Sequence, residues 1–326
     1  MRVAILGAMV DLLLHIGHHK TGTTTVQRAL NVNRERLAES GILYPKTGLR
    51  GEAHHLLAEV KWKADHEGAE TLFESLRDEV ERAEPRLVVL SSEQFYHRKG
   101  LRPSLSALRR IFETVDVIAF LRRQDEYLEA SYAQKLKRGL MEEDEAAYLR
   151  WALESGRMDH GTHIARWHGA RGVDSLAVHA TEEGNRVDAL AVLLEYLGEF
   201  PELDPTPRLN VRLSRHAVEL MRLLKHEYGD IPSPGRTIEV LTAWSADRDE
   251  PASWNHFWSA GQRTDFLRSF DESNDRAAAT LGRVKPLFTG VPSDDGEPYP
   301  GLPGGVIDEL VVLLNDHGVE VDRQRI

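Results

Sequence analysis

No cysteine occurs anywhere in the 326 residues, which excludes disulfides, thiolate catalysis and cysteine-ligated zinc together. No apolar run comes near the roughly 18 residues that a membrane-spanning helix needs. The opening segment is the nearest approach to a signal peptide. Its apolar stretch over 3–10 is short, Asp11 interrupts it, and no small-residue cleavage site follows. Residues 1–10 are therefore expected to lead into a first strand, and the protein to be cytoplasmic. Basic residues are in deficit: 41 Lys and Arg against 52 Asp and Glu give a formal net charge of −11. The surface as a whole repels nucleic acid, and a polyanionic partner would need a local basic patch. Blocks of like charge, internal repeats and low-complexity tracts are all absent, so nothing suggests a disordered tail or a solenoid.

What is present is the composition of a globular protein, 41% hydrophobic and 29% charged. Four short apolar runs, over 12–16, 86–90, 115–121 and 176–179, read as strands buried on both faces, because they are continuously apolar and not alternating. Amphipathic stretches separate them, marked by Val26, Leu30 and Leu37, by Leu72, Phe73, Leu76 and Val80, and by Leu105, Leu108, Ile111 and Phe112. Strand alternating with helix predicts an α/β fold, a three-layer parallel sheet flanked by helices. After a proline-rich joint over 201–207 the pattern turns helical, notably over 214–228 and 264–288, while the Gly- and Pro-rich stretch 290–305 reads as a loop. The expected organisation is an α/β core over 1–204 and a mainly helical extension over 205–326.

The segment that carries chemistry is His15-Ile-Gly-His-His-Lys20-Thr-Gly22-Thr-Thr-Thr25, placed where the first strand gives way to the first helix. Ligands of parallel sheets bind at the carboxyl ends of strands. Glycine and threonine let backbone N–H groups wrap an anion, the helix start adds positive potential, and Lys20 supplies a cation. The order is not that of a Walker A loop, in which lysine follows the second glycine; here Lys20 precedes Gly22. A capped strand–turn–helix junction with a solvated lysine is the plainer alternative.

The order K-T-G-T-T resembles the 5′-phosphosulfate loop of sulfotransferases that use 3′-phosphoadenosine-5′-phosphosulfate (PAPS). In those enzymes a later strand ends in arginine, with a serine nine residues on, and the two hold the 3′-phosphate. The run 115–121 is followed by Arg122, and Ser131 lies nine residues further. The resemblance implies a P-loop-NTPase-like sulfotransferase fold over 11–200, extending more thinly to 290. It implies a cofactor site of Lys20, Thr21, Gly22, Thr23, Thr24, Thr25, Arg122 and Ser131, PAPS as cosubstrate and adenosine 3′,5′-bisphosphate as product, with no metal. The late R-K-G-x-x-G segment of the small-molecule cytosolic enzymes is missing; Arg208 or Arg212 are its candidate substitutes.

On this resemblance the chain moves a sulfuryl group to a hydroxyl or amine acceptor by in-line displacement. Such transfer depends on positioning and charge stabilisation, with Lys20 neutralising the leaving oxygen. The acceptor, a small molecule or carbohydrate, is not legible, and neither is the oligomeric state. For the base, Glu93 follows the second long strand and is the first choice, provided burial raises its pKa. His55 is the runner-up and His54 the third candidate, both in a loop that could roof the site. His160, His163 and His168 read as surface or packing residues, not metal ligands. The rival readings are a P-loop nucleotide kinase or NTPase and a non-catalytic nucleotide-binding protein on the same fold.

Overall fold

A computed structural model describes residues 10–137, 145–198, 202–204, 213–246, 248–293 and 299–326. Five strands are present among them: β1 (Val10–Gly17), β2 (Ile42–Leu43), β3 (Leu87–Ser91), β4 (Phe112–Arg122) and β5 (Ser175–Thr181). The described helices are, in chain order, α1 (Thr23–Val32), α2 (Arg34–Glu39), α3 (His55–Glu59), α4 (His66–Ala83), α5 (Arg102–Leu108), α6 (Gln124–Lys137) and α7 (Glu145–Glu154). They continue with α8 (His160–His168), α9 (Ala189–Leu197), α10 (Arg215–Tyr228), α11 (Pro234–Ala246), α12 (Ala260–Arg268), α13 (Asp271–Thr280) and α14 (Gly304–Asp316).

By compactness the chain divides into two units that interleave along the sequence. The first comprises Met1–Arg123, Asp159–Pro207 and Phe270–Gly290; the second comprises Gln124–Met158, Arg208–Ser269 and Val291–Ile326. The expected boundary at 204/205 lies close to one of the points where the chain passes between them, and 124–158 and 270–290 fall on the other side from their sequence neighbours.

The first unit is an α/β structure. Its sheet is parallel throughout, in the order β2-β3-β1-β4-β5, with Leu13 opposite Val89 on one side and Asp116 on the other. Alternate residues of each strand serve opposite faces. Leu13, Val89, Ile118 and Phe120 pack with Val26 and Leu30 of α1, Leu37 of α2, and Leu193 and Leu197 of α9. Leu12, Leu14, Val88, Leu90, Val117 and Ala119 pack with Leu57, Phe73, Leu76, Leu105, Ile164, Trp167 and Ala277 from α3, α4, α5, α8 and α13. Burial on both faces is why β1, β3 and β4 read as continuous apolar runs; β5 departs from that expectation, since 176–180 are only half-buried at the edge of the sheet. β1 is central, and the helix that follows it lies on the opposite face from those that lead into β3 and β4. The carboxyl end of β1 is thus where connections diverge, the position that favours a ligand crevice in open α/β sheets.

The second unit is helical among its described residues. Arg263, 1% exposed, lies 3.9 Å from the fully buried Asp125 of α6, and its Nη2 donates to Ser293 O at 2.6 Å.

Four expectations change. β2 was not anticipated, because two residues carry no periodicity. Ile111 and Phe112 do not extend α5: the helix ends at Leu108, and Phe112 opens β4. The stretch 264–288 is not one helix but α12 and α13. Phe270 breaks from helical geometry, and Asp271 and Glu272 then favour a new helix start by their charge. The loop 290–305 is shortened from its end by α14, which begins at Gly304. Arg208 and Arg212, and the apolar run 3–10 except Val10, lie outside the described residues.

Candidate active site

Gly17 closes β1 with φ 139°, and a Cβ there would stand 2.2 Å from Phe120 O, so glycine is required for β1 to approach β4 this closely. His18 N donates to Phe120 O at 2.8 Å, after which the chain leaves the sheet. In the turn that follows, Lys20 has φ 69° and Gly22 φ 89°, flanking a negative φ at Thr21. A left-handed lysine costs about 1–2 kcal/mol and persists only where its surroundings impose it. Two bonds impose it: Thr21 Oγ1 donates to His18 O at 2.8 Å, and Arg122 Nη1 donates to Lys20 O at 3.1 Å. Alternating backbone hand gathers successive N–H groups into an anion-binding concavity. Gly22 then caps α1, whose first amides have no carbonyl four residues back to bond and carry the positive end of the helix dipole. Lys20, Thr24 and Thr25 are exposed around this concavity and Thr23 is buried. The Thr21 hydroxyl is committed to the turn, so only its amide is left for a ligand.

Glu93 begins a short 3-10 turn, Glu93–Phe95, immediately after β3. It is 8% exposed. Its Oε1 is 3.0 Å from Nδ1 of His19 and 3.9 Å from Nε2 of His55, and its Oε2 accepts from Gln27 Nε2 at 2.9 Å. Burial favours the neutral acid, but the hydrogen bond and charge of His19, a backbone donor and Gln27 outweigh it and bring the Glu93 pKa down to about 2. This is opposite to the raised value a carboxylate base requires. His55 is half-buried, with Nδ1 at 2.8 Å from Ser92 Oγ, and burial lowers its pKa against the pull of Glu93. His54 is fully buried. Its Nδ1 accepts from Ser91 N at 3.1 Å, which puts its hydrogen on Nε2, facing Pro45 O at 3.0 Å. Burial holds His54 down to about 4, and the two contacts make it a fastener between β3 and the 45 loop, not a base. His15, on β1, bonds Ser91 Oγ through Nδ1 at 2.8 Å, and burial lowers it also to about 4.

The structure therefore gathers Lys20, the loop threonines, Arg122, Glu93 and His55 in the first unit. Ser131 belongs to the second unit, where its hydroxyl donates to Leu128 O at 3.1 Å and lies 2.8 Å from Tyr148 OH. Its pairing with Arg122 rests on sequence spacing. His19 and Gln27 were missed. Gln27 had a signal: it stands one helical turn after Thr23, at a buried polar position of α1.

His160 and His163 are buried, not on the surface. His160 Nδ1 is 2.9 Å from Tyr96 OH and its ring lies 4.6 Å from that of His18, while His163 Nε2 is 3.4 Å from His97 Nδ1. These rings pack the carboxyl edge of the sheet around Tyr96; among the described residues no three His, Cys, Asp or Glu side chains are arranged to hold a metal.

Comparison with protein-family models, with curated proteins and with solved structures gives no match for this chain. Within the described residues no helix is long and apolar enough to cross a membrane.

Proposed function

We propose that this chain is a PAPS-dependent sulfotransferase acting on a hydroxyl or amine acceptor. The observation that carries the reading is the position and shape of the K-T-G-T-T loop: it leaves the central strand of a parallel sheet, turns left-handed at Lys20 and Gly22, and opens α1. A central β1 followed directly by an anion loop, with parallel neighbours on both sides, supports the P-loop-like reading of the fold. The donor set suits a phosphosulfate: loop amides, exposed Thr24 and Thr25 hydroxyls, the Lys20 ammonium, and the Arg122 guanidinium beside the loop. When bound, that cosubstrate supplies an activated sulfuryl group with a phosphate as leaving group. Lys20 neutralises charge growing on the bridging oxygen, and the loop amides and threonines orient the 5′-phosphate. On this reading Arg122 takes the 3′-phosphate; the partnership of Ser131 rests on sequence spacing alone.

Ligand-dependent melting tests this. At a hundredfold excess over Kd, adenosine 3′,5′-bisphosphate should stabilise the protein by about 2.7 kcal/mol, while ATP with magnesium should do far less. A larger effect of ATP with magnesium would favour a kinase or NTPase. Stabilisation by the bisphosphate without sulfuryl transfer to any acceptor in a broad panel would favour a non-catalytic binding protein.

A further inference from the structure

We propose that His19 is the base that takes the acceptor's proton, and that Glu93 is its positioning residue, itself held by Gln27. This rests on the sulfotransferase reading. The geometry is that of a carboxylate–imidazole pair. His19 immediately precedes Lys20 in the phosphate loop, and its Nδ1 meets Glu93 Oε1 at 3.0 Å. The other carboxylate oxygen accepts from Gln27 Nε2 at 2.9 Å, so the carboxylate is fixed from both ends.

The tautomer follows from these contacts. An ionised carboxylate can only accept, so the hydrogen of a neutral His19 is on Nδ1 and the lone pair is on Nε2. Glu93 is a poor base by comparison, since its surroundings hold its pKa down to about 2 and both its oxygens are engaged. His55 is also less suited, because its nitrogens face protein oxygens, Ser92 Oγ at 2.8 Å and Glu93 Oε1 at 3.9 Å. The side chain of His19 is 34% exposed, whereas that of Glu93 is 10% exposed.

In the step itself, the acceptor oxygen forms a bond to sulfur as the bond from sulfur to the bridging oxygen breaks. The electron pair of that bond leaves on the 5′-phosphate oxygen, which Lys20 faces. The hydroxyl proton passes to His19 Nε2, and the resulting imidazolium is stabilised through Nδ1–H by Glu93. The proton is then released to water. An amine acceptor loses its proton by the same route.

The test compares His19→Ala and Glu93→Gln with the unaltered protein in three measurements: transfer rate against pH, affinity for adenosine 3′,5′-bisphosphate, and the ¹⁵N NMR signals of the His19 ring. The ionisable groups around that ring are Glu93 and His55, with Lys20 next in the chain. His19→Ala is expected to slow transfer by roughly 10²–10⁴-fold. It should abolish the acid limb of the pH profile and leave bisphosphate affinity within a few-fold. Glu93→Gln should slow transfer while leaving bisphosphate affinity within a few-fold, and the ring signals should lose their preference for the Nδ1 hydrogen, because the carboxylate that fixes the tautomer is gone. Ring signals should show the hydrogen on Nδ1 in the unaltered protein. An acid limb that survives His19→Ala, or a neutral ring with its hydrogen on Nε2, overturns the proposal. If the unaltered protein neither binds the bisphosphate nor transfers sulfuryl, the sulfotransferase reading has failed and the assignment of a base falls with it.

Discussion

Arg123 and Glu182 face each other at 3.4 Å with side chains only 2% and 3% exposed, and the same carboxylate gathers the backbone of Thr289 and Gly290 at 2.9 Å each. The Thr289 hydroxyl adds a further donor at 3.1 Å. One acid thus ties the residue after β4, the residue after β5 and the end of the 270–290 segment together, within the first unit. A Cβ at Gly290 would stand 2.6 Å from Arg123 Nη1, so a larger residue there would have to displace the ends of the paired side chains. Glu182→Ala would leave a buried guanidinium without this acid and two amides without acceptors. A loss of about 3–5 kcal/mol is expected, read as a lower urea midpoint. A loss below 1 kcal/mol would show that the pair is incidental.

Lys20 combines a charge with a backbone conformation that suits glycine. Lys20→Gly should therefore match or slightly exceed the unaltered protein in stability, by up to about 1 kcal/mol, since relief of strain opposes the added freedom of the unfolded chain. Lys20→Ala keeps the strain and should be marginally less stable. On the proposed function both should lose roughly 10²-fold or more in transfer rate, as for removal of one transition-state donor. Near-normal turnover in either variant would refute the role given to Lys20.

Arg122 donates to the Lys20 carbonyl and is the proposed holder of the 3′-phosphate. Calorimetry with Arg122→Ala separates the two roles. A lost charged hydrogen bond to the 3′-phosphate should weaken adenosine 3′,5′-bisphosphate by about 1.5–3 kcal/mol more than adenosine 5′-phosphate. Equal weakening of both would assign Arg122 to shaping the loop alone.

Acid should unfold this protein early. Burial holds His15 and His54 down to about 4 and His160 down to about 3, whereas the unfolded chain titrates its histidines near 6.5. Their folded pKa values lie below the unfolded ones, so the folded state binds fewer protons in between and stability rises with pH. The contribution is complete above about 6.5 and is lost as pH falls toward 4 for His15 and His54 and toward 3 for His160. Around pH 5 unfolding should take up roughly three protons, measurable as the slope of urea-derived stability against pH. A flat profile between pH 6.5 and 5 would contradict the buried neutral state of these rings.

Most of the sheet was legible because β1, β3 and β4 are largely buried on both sides and read as continuous apolar runs; β5 carries an apolar run although it is only half-buried, and the two-residue β2 left no pattern. The place of the K-T-G-T-T loop was legible because its residues are contiguous and lie at a strand end. Glu93 could be placed at the same edge by the strand it follows. Its charge state could not, since that depends on His19 and Gln27, which reach it only in the folded chain, Gln27 from 66 positions away in sequence. His54 and His55 looked alike as neighbours, yet one is locked between Ser91 N and Pro45 O while the other faces Ser92 and Glu93. Sequence spacing does not distinguish them.

The interleaving of the two units has a bearing on synthesis. α13 packs Ala277 into the sheet's core, Ser273 Oγ accepts from Gly161 N at 2.9 Å and donates to Asp159 Oδ1 at 2.6 Å, and Gly290 completes the Glu182 contacts. None of these can form on the ribosome until residues 270–290 have emerged, long after the candidate anion loop at 17–25. The strands and the candidate anion loop thus wait, partly uncovered, for a segment translated much later. A chain cut after Asp204 would expose the core beneath α13 permanently, and release as an aggregate is the outcome expected for it.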